Sequence, residues 1–525
     1  MLPRPFVSRL SSPWTQGAAL YLFCFAVLGA LIFSTPGFLG TDDYYHARIS
    51  AQIVAQGRLA LDFPWLPQTI LSPERFVDHH LLYHLALALP VHLAGIVGAK
   101  LVTAGIAAGV FVVAWALLRQ IGARQPALWA LAMFGLSVPF LYRILMIRTQ
   151  GVSLLLLIVA LIVLFRRQYR WLVPLGFAYT WLYDGFVLLL AVAVLDAIGP
   201  WIAERKVAWQ PVAYTAAGIG LGLLVNPYFP QNVAFIAEHL GAKVGFESGV
   251  RVGNEWYPYE TGTLLNNSLG ALLAMAAGVL RPSFGGRRRD RIETTLLLVA
   301  LLTLFMVFKS RRFIEYFPAF ALLFCAASWR EIGVRFQPAA FSFSTPRTRK
   351  AAALSPLGRA FTVVIVLLLT GNTLAGVWQD TQDATNVEMF AGAAAWLQEN
   401  SPPGAMVFQT DWDDFPRLFY YNTHNTYLVG LDPTYLERAD PALWDRWVEI
   451  TRGQVAQPST AIGAEFGAAY VVSDTRHDAF ASRADDDPGL RLVYRDDATL
   501  VWEVLPTADA RLIYDDPDRS ARYSD

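Results

Sequence analysis

Residues 16–34 read QGAALYLFCFAVLGALIFS, an apolar run without a charged side chain. At 1.5 Å of rise per residue a helix of that length crosses most of a hydrocarbon layer about 30 Å thick. Arg4 and Arg9 precede it and no small-residue cleavage site follows, so it reads as an uncleaved first helix with a cytoplasmic N-terminus. Further apolar runs of helix length begin near Gly98, Pro126, Gly151, Trp171, Phe186, Pro211, Thr263, Thr294, Ile314 and Ala360. About eleven transmembrane helices are therefore expected. The bulk composition agrees: of 525 residues 55 % are hydrophobic and 16 % charged, more apolar surface than one water-soluble core can use.

Net charge is zero, but the cations are unevenly placed. Counted from a cytoplasmic start, the loops bearing Arg119 and Arg124, Arg166 to Arg170, Arg205 and Lys206, Arg281 to Arg291, and Arg330 to Arg359 all fall on one side, as the positive-inside rule requires. The opposite side receives residues 36–97, 142–150, 183–185, 226–261 and 309–313, and everything after Gln379. Beyond Gln379 the composition becomes that of a soluble α/β domain, with strand-like runs at Ala405 to Phe408, Ala469 to Val472 and Leu500 to Val504. The fold class is thus a polytopic α-helical membrane protein. Residues 1–379 form the transmembrane part, with large outer loops 36–97 and 226–261, and residues 380–525 form an extracytoplasmic α/β domain. Residues 337–359 read as a cytoplasmic linker. No basic patch interleaved with aromatics points to nucleic acid. Cys24 and Cys325 lie in apolar segments and read as buried free thiols, which excludes a disulfide framework and a thiolate metal site.

Four polar clusters stand against this background. Gly40-Thr-Asp-Asp-Tyr-Tyr-His-Ala-Arg48 places Asp42 and Asp43 at the end of the first helix, where carboxylates need solvation, a partner or a capping role for Thr41 or Asp42. In the same loop Asp78, His79 and His80 are near enough in sequence to join Asp42 and Asp43 around a cation. Phe308-Lys-Ser-Arg-Arg-Phe-Ile-Glu-Tyr316 sets Lys309, Arg311 and Arg312 on the outer side, against the charge trend. Such cations suit an anion such as a lipid phosphate, with an internal pair of Arg312 and Glu315 as the alternative. Arg251 to Glu260 is aromatic-rich and carries Glu255, and Trp412-Asp-Asp-Phe-Pro416 opens the soluble part in a turn-like cluster.

In this order the clusters resemble the catalytic subunits of oligosaccharyltransferases, which are GT-C membrane glycosyltransferases using polyprenyl-linked sugar donors. Asp42 to Arg48 is similar to the archaeal first acidic motif, Asp-Pro-Tyr-Tyr-His-x-Arg, whose aspartate binds metal and helps activate the acceptor; Asp42 aligns with it. Arg312-Phe-Ile-Glu-Tyr316 resembles the family's Arg-Phe-x-x-Tyr, whose arginine contacts the donor phosphate. Glu255 occupies the topological place of a loop glutamate, and Trp412 to Pro416 that of the acceptor-recognising Trp-Trp-Asp-Tyr-Gly. Two departures stand out. The loop Arg143-Ile-Leu-Met-Ile-Arg-Thr-Gln150, where a second acidic motif belongs, contains no acid. The chain also has fewer expected spans than the family.

The resemblance implies transfer of a sugar or oligosaccharide from a polyprenyl-phosphate donor to an extracytoplasmic glycan, lipid or protein, at the inner or plasma membrane. Asp42 or Asp43 would be the catalytic base, with Arg312, Arg311 and Lys309 on the donor phosphate. Asp42, Glu255, His79 and His80 are the ligands for a divalent Mg or Mn, and Trp412, Asp413, Asp414 and Phe415 contact the acceptor. The rival readings are a flippase of lipid-linked saccharides and a non-catalytic scaffold subunit. Polar groups gathered at loop edges, away from mid-membrane breaks, favour the enzyme.

Overall fold

The structure, a computed structural model, describes residues 12–205, 208–244, 253–281, 288–330, 356–384 and 386–506. Arg4, Arg9, Lys206, Arg251, Arg287 and the expected linker as far as residue 355 lie outside them. The chain forms two compact units. The first comprises the residues up to Leu39, His79–Phe229 and Asn254–Ala384; the second comprises Gly40–Asp78, Pro230–Gly253 and the residues from Thr385. A single boundary at 379/380 does not describe this grouping, because two earlier segments return to the C-terminal part.

The first unit is helical. Among the described residues five helices are long and apolar enough to cross a membrane: Pro13–Ile32, Leu81–Gln120, Thr261–Leu280, Arg291–Lys309 and Ala360–Gln382. A sixth results if the bent pair Pro126–Gly135 and Val138–Ile144, turned by 100°, is one span. Other expected runs form shorter helices, Gln150–Phe165, Leu172–Leu182 and Phe317–Trp329. Leu172–Leu182 stops because Tyr183 is fully extended at φ −170°. Phe305, Leu367 and Leu368 project outward and remain exposed, as suits side chains solvated by lipid. Buried charge is paired inside this unit: Arg291 Nη2 lies 2.6 Å from Asp196, which also accepts from Thr295 at 3.3 Å. Cys24 and Cys325 are free and buried.

The bend at residues 135–137 positions the site. Backbone freed from a helix in an apolar setting needs other partners, and Thr261–Leu280 supplies them. Ala271 N donates to Leu136 O at 3.0 Å, and the Ser137 and Ser268 hydroxyls meet at 2.9 Å. Ser137 also caps the next helix by accepting from Phe140 N. Two backbones approach this closely only because no side chain intervenes: a Cβ on Gly270 would sit 2.0 Å from Gly135 O. The helix Val138–Ile144 then presents Arg143 in its last turn.

The second unit is built on a five-stranded mixed sheet of order β2-β1-β3-β5-β4, where β1 is Met406–Gln409, β2 Thr426–Tyr427, β3 Tyr470–Asp474, β4 Leu490–Arg495 and β5 Thr499–Val504. β1 pairs in parallel with β2 and β3, while β5 is antiparallel to β3 and β4. The β4–β5 hairpin closes on Asp496, whose carboxylate accepts from Ala498 N and Thr499 N. Phe408, Val471 and Trp502 form a core with Trp444, Trp447, Ile462 and Phe480. The segment 40–78 packs on this frame: Tyr427 N donates to Trp65 O at 2.8 Å, and Trp65 Nε1 to Thr423 O at 2.9 Å.

Gly270→Ala is expected to lower the thermal midpoint in detergent, at about 2 kcal/mol for the forced displacement of Gly135. Gly220→Ala, with nothing within 4 Å of the added methyl, leaves it unchanged.

Candidate functional site

A dense polar group of the first unit converges on Glu255. Its Oε2 accepts from Arg143 Nη2 and Arg148 Nη1, each at 2.9 Å, and its Oε1 lies 2.9 Å from Arg312 Nη1. Arg143 also donates through Nε to Glu315 Oε1 at 2.5 Å. The four side chains at Glu255 are 11–22 % exposed, which places them beneath the surface yet within reach of a ligand. The loop holding Glu255 is fixed by its main chain, since Ser310 Oγ donates to Glu255 O at 2.8 Å. Arg312 lies over the Trp256 ring, 4.9 Å from its centroid.

Burial alone pushes the Glu255 carboxyl up, but Arg312, Arg148 and Arg143 outweigh it and hold the group well below the usual carboxylate range. Burial likewise works against the Arg312 cation, and Glu255 foremost restores it, lifting it well above its ordinary value. The expected pair of Arg312 with Glu315 is replaced by two others, Arg312 with Glu255 and Arg143 with Glu315. Arg311 donates to the carbonyls of Tyr257 and Pro258 and lies over Tyr259, so it braces the loop. Lys309 ends its helix exposed. Arg143 and Arg148 do not stand out in the sequence, where their loop is notable for its lack of acid; two arginines five residues apart, on a segment expected outside, are the available signal.

The second unit brings the first acidic cluster and the Trp412 cluster together. The helix Thr41–Gln56 begins at Gly40, whose N–H is accepted by Asp43 at 3.1 Å. Neither Thr41 nor Asp42 caps the helix; Asp43 does so, in a fully buried position three residues in. Asp42 sits half-buried in the first turn of the same helix. Thr41 Oγ1 donates to Asp413 Oδ2 at 3.3 Å. Tyr44 packs edge-on to Tyr420 at 5.3 Å and lies under Arg417 at 4.6 Å.

Two expected acceptor contacts are core residues. Phe415 is fully buried, stacked on Phe419 at 5.2 Å, and Asp414 is buried below it in sequence. Both are closed to solvent, whereas Trp412 and Asp413 are partly exposed. Burial first, then Asp411, Asp474 and Asp413, push the Asp414 carboxyl well above its usual value. Its neighbour Asp474 is the opposite case. Burial raises it, but hydrogen bonds from His477 at 2.6 Å and from Arg476 bring it down to about 2, and the same bond to Asp474 raises the His477 imidazole.

The expected divalent-metal set does not fit what the first unit offers. Both Glu255 oxygens are taken by guanidinium groups, the opposite of a cation site in this arrangement. What remains of the set in that unit is His79 and His80, whose ring centroids lie 3.9 Å apart with the planes tilted by 45°, and imidazoles suit neither Mg nor Mn as well as oxygen ligands do.

Because the folded-state pKa of Asp414 is raised, its contribution to stability is fully present below the unfolded value of about 3.9 and is lost as pH rises. Asp414→Asn is therefore expected to raise the melting temperature at pH 7.5 by about 2–4 °C, with the gain vanishing towards pH 4. Melts at the two pH values check this; an equal change at both contradicts it.

No protein-family model and no curated protein matches the chain. Solved structures do. The archaeal oligosaccharyltransferase AglB from Archaeoglobus fulgidus, in complex with an inhibitory peptide and a dolichol-phosphate, aligns at a TM-score of 0.62 and 13 % identity over 95 % of this chain and 75 % of that one. ArnT from Cupriavidus metallidurans bound to undecaprenyl phosphate aligns at 0.53 and 16 %, over 94 % and 99 %. The arabinofuranosyltransferase AftD from Mycobacteria aligns at 0.52 and 17 %, over 93 % and 41 %. Identities this low speak for the fold alone: the chain resembles in fold AglB, ArnT and AftD, which are GT-C membrane glycosyltransferases.

Proposed function

We propose that this chain is a membrane glycosyltransferase that moves a sugar or oligosaccharide from a polyprenyl-phosphate-linked donor to an acceptor glycan, lipid or protein outside the cytoplasm. The observation that carries the reading is Arg312, held in a partly accessible arginine cluster at the place in the sequence where the family's phosphate-binding arginine belongs. The bound dolichol-phosphate of AglB and undecaprenyl phosphate of ArnT support the donor class.

The chemistry follows from charge. Breaking the bond between the sugar and its phosphate leaves a growing negative charge on the phosphate, and fixed guanidinium donors near a low-dielectric medium stabilise it strongly. Arg312 takes that role, with Arg311 and Lys309 adding positive potential. Asp42 orients the acceptor and takes its proton. Trp412 and Asp413 contact the acceptor, and Asp43 keeps the helix of Asp42 in place. In the membrane the shorter apolar helices complete about eleven spans, with the N-terminus cytoplasmic and residues 380–525 on the far side.

Sugar transfer from radiolabelled polyprenyl-phosphate sugars, by the protein in lipid nanodiscs, tests this. Arg312→Ala and Asp42→Asn are each expected to lower turnover by about a hundredfold or more. Transfer at the wild-type rate in either variant removes that residue's role. A chain that uses no donor but exchanges lipid-linked saccharide between leaflets is a flippase.

A further inference from the structure

The arginine cluster already contains an anion. Guanidinium groups bind carboxylate and phosphate with the same paired N–H donors, and three of them meet at one carboxylate: Arg143 and Arg148 on Oε2 of Glu255, Arg312 on Oε1. We propose that Glu255 is a resident stand-in for phosphate: Arg143, Arg148 and Arg312 together form the site for the donor's phosphate, which takes the place of the Glu255 side chain. This inference rests on the function proposed above, and it adds two phosphate ligands and an exchange step to it.

The geometry allows that exchange. The Glu255 main chain is anchored through its carbonyl by Ser310, so the side chain can rotate out while its loop stays in place. At 22 % exposure the carboxylate is the most accessible member of the group and has water to turn to. Arg143 retains a counter-charge after the exchange, because Glu315 Oε1 still holds its Nε. The Oε2 of Glu315 is buried and has no hydrogen-bond partner among the described residues, an acceptor in reserve as donors rearrange. Arg312 stays seated over Trp256 throughout. The empty site is thereby kept neutralised, and a monovalent background anion must compete with an intramolecular carboxylate before it can occupy the site.

Binding of undecaprenyl phosphate to the full chain in nanodiscs, with inorganic phosphate as a second probe, tests the exchange. Glu255→Gln removes the competing anion and is expected to tighten undecaprenyl phosphate binding by about threefold or more. Arg148→Gln is expected to weaken it by about tenfold, and Arg148→Lys to recover only part of the loss because the two-pronged donor is gone. Thermal melts confirm that each variant is folded, and Arg148 carries the test because Arg143 also holds Glu315. If Glu255→Gln weakens binding as the arginine variant does, Glu255 is only a scaffold and the exchange is overturned. Unchanged binding in Arg148→Gln overturns the enlarged site while leaving the donor reading intact. A folded wild type that binds no undecaprenyl phosphate overturns both. Inorganic phosphate binding as tightly as the lipid assigns the site to free phosphate and overturns the donor; weak competition by inorganic phosphate supports it.

Discussion

Guanidinium groups repel one another, and at the edge of an apolar medium that repulsion is poorly screened. Arg143, Arg148 and Arg312 can share one small region only because an anion lies between them, and in this chain the anion is Glu255. Much of the first unit serves that arrangement. The broken helix at residues 135–137 brings Arg143 to the group, the unwound stretch before Gln150–Phe165 brings Arg148, and the turn after Arg291–Lys309 brings Arg312. A break in a helix exposes backbone that needs partners, and at residues 135–137 the neighbouring helix supplies them through Ala271 N and the Ser268 hydroxyl.

The membrane character of the chain was legible because it is written in long, uniform signals: runs such as 16–34 and the one-sided placement of Arg and Lys. Three of the five strands were legible for a similar reason, since Met406–Gln409, Tyr470–Asp474 and Thr499–Val504 are dense in β-branched and aromatic residues. Thr426–Tyr427 is two residues long, and Leu490–Arg495 alternates with arginine, so neither stands out locally. Span counting ran ahead of the helices because apolar runs do not reveal breaks made by tertiary partners, as at Ser137 with Ser268.

The candidate site was half legible. Motif order singles out Asp42 and Arg312 as candidates, but what their neighbours touch depends on geometry. Adjacent aspartates look alike in sequence, yet Asp43 turns inward to cap its helix while Asp42 stays half-buried. Phe415 reads as an exposed aromatic of a recognition motif and folds into a stack with Phe419. Glu255 reads as a metal ligand until its three arginines are seen, and two of those come from a loop more than a hundred residues earlier.

The central claim is that Glu255 and the arginines form one coupled unit, and a double-mutant cycle on thermal stability tests it most directly. Glu255→Gln, Arg148→Gln and the double variant, melted in the same detergent, give the interaction energy without reference to any substrate. A coupling of about 1 kcal/mol or more is expected, with the double variant less destabilised than the sum of the two single changes. Additive effects would mean that the two side chains do not meet, and the anion site would have to be abandoned.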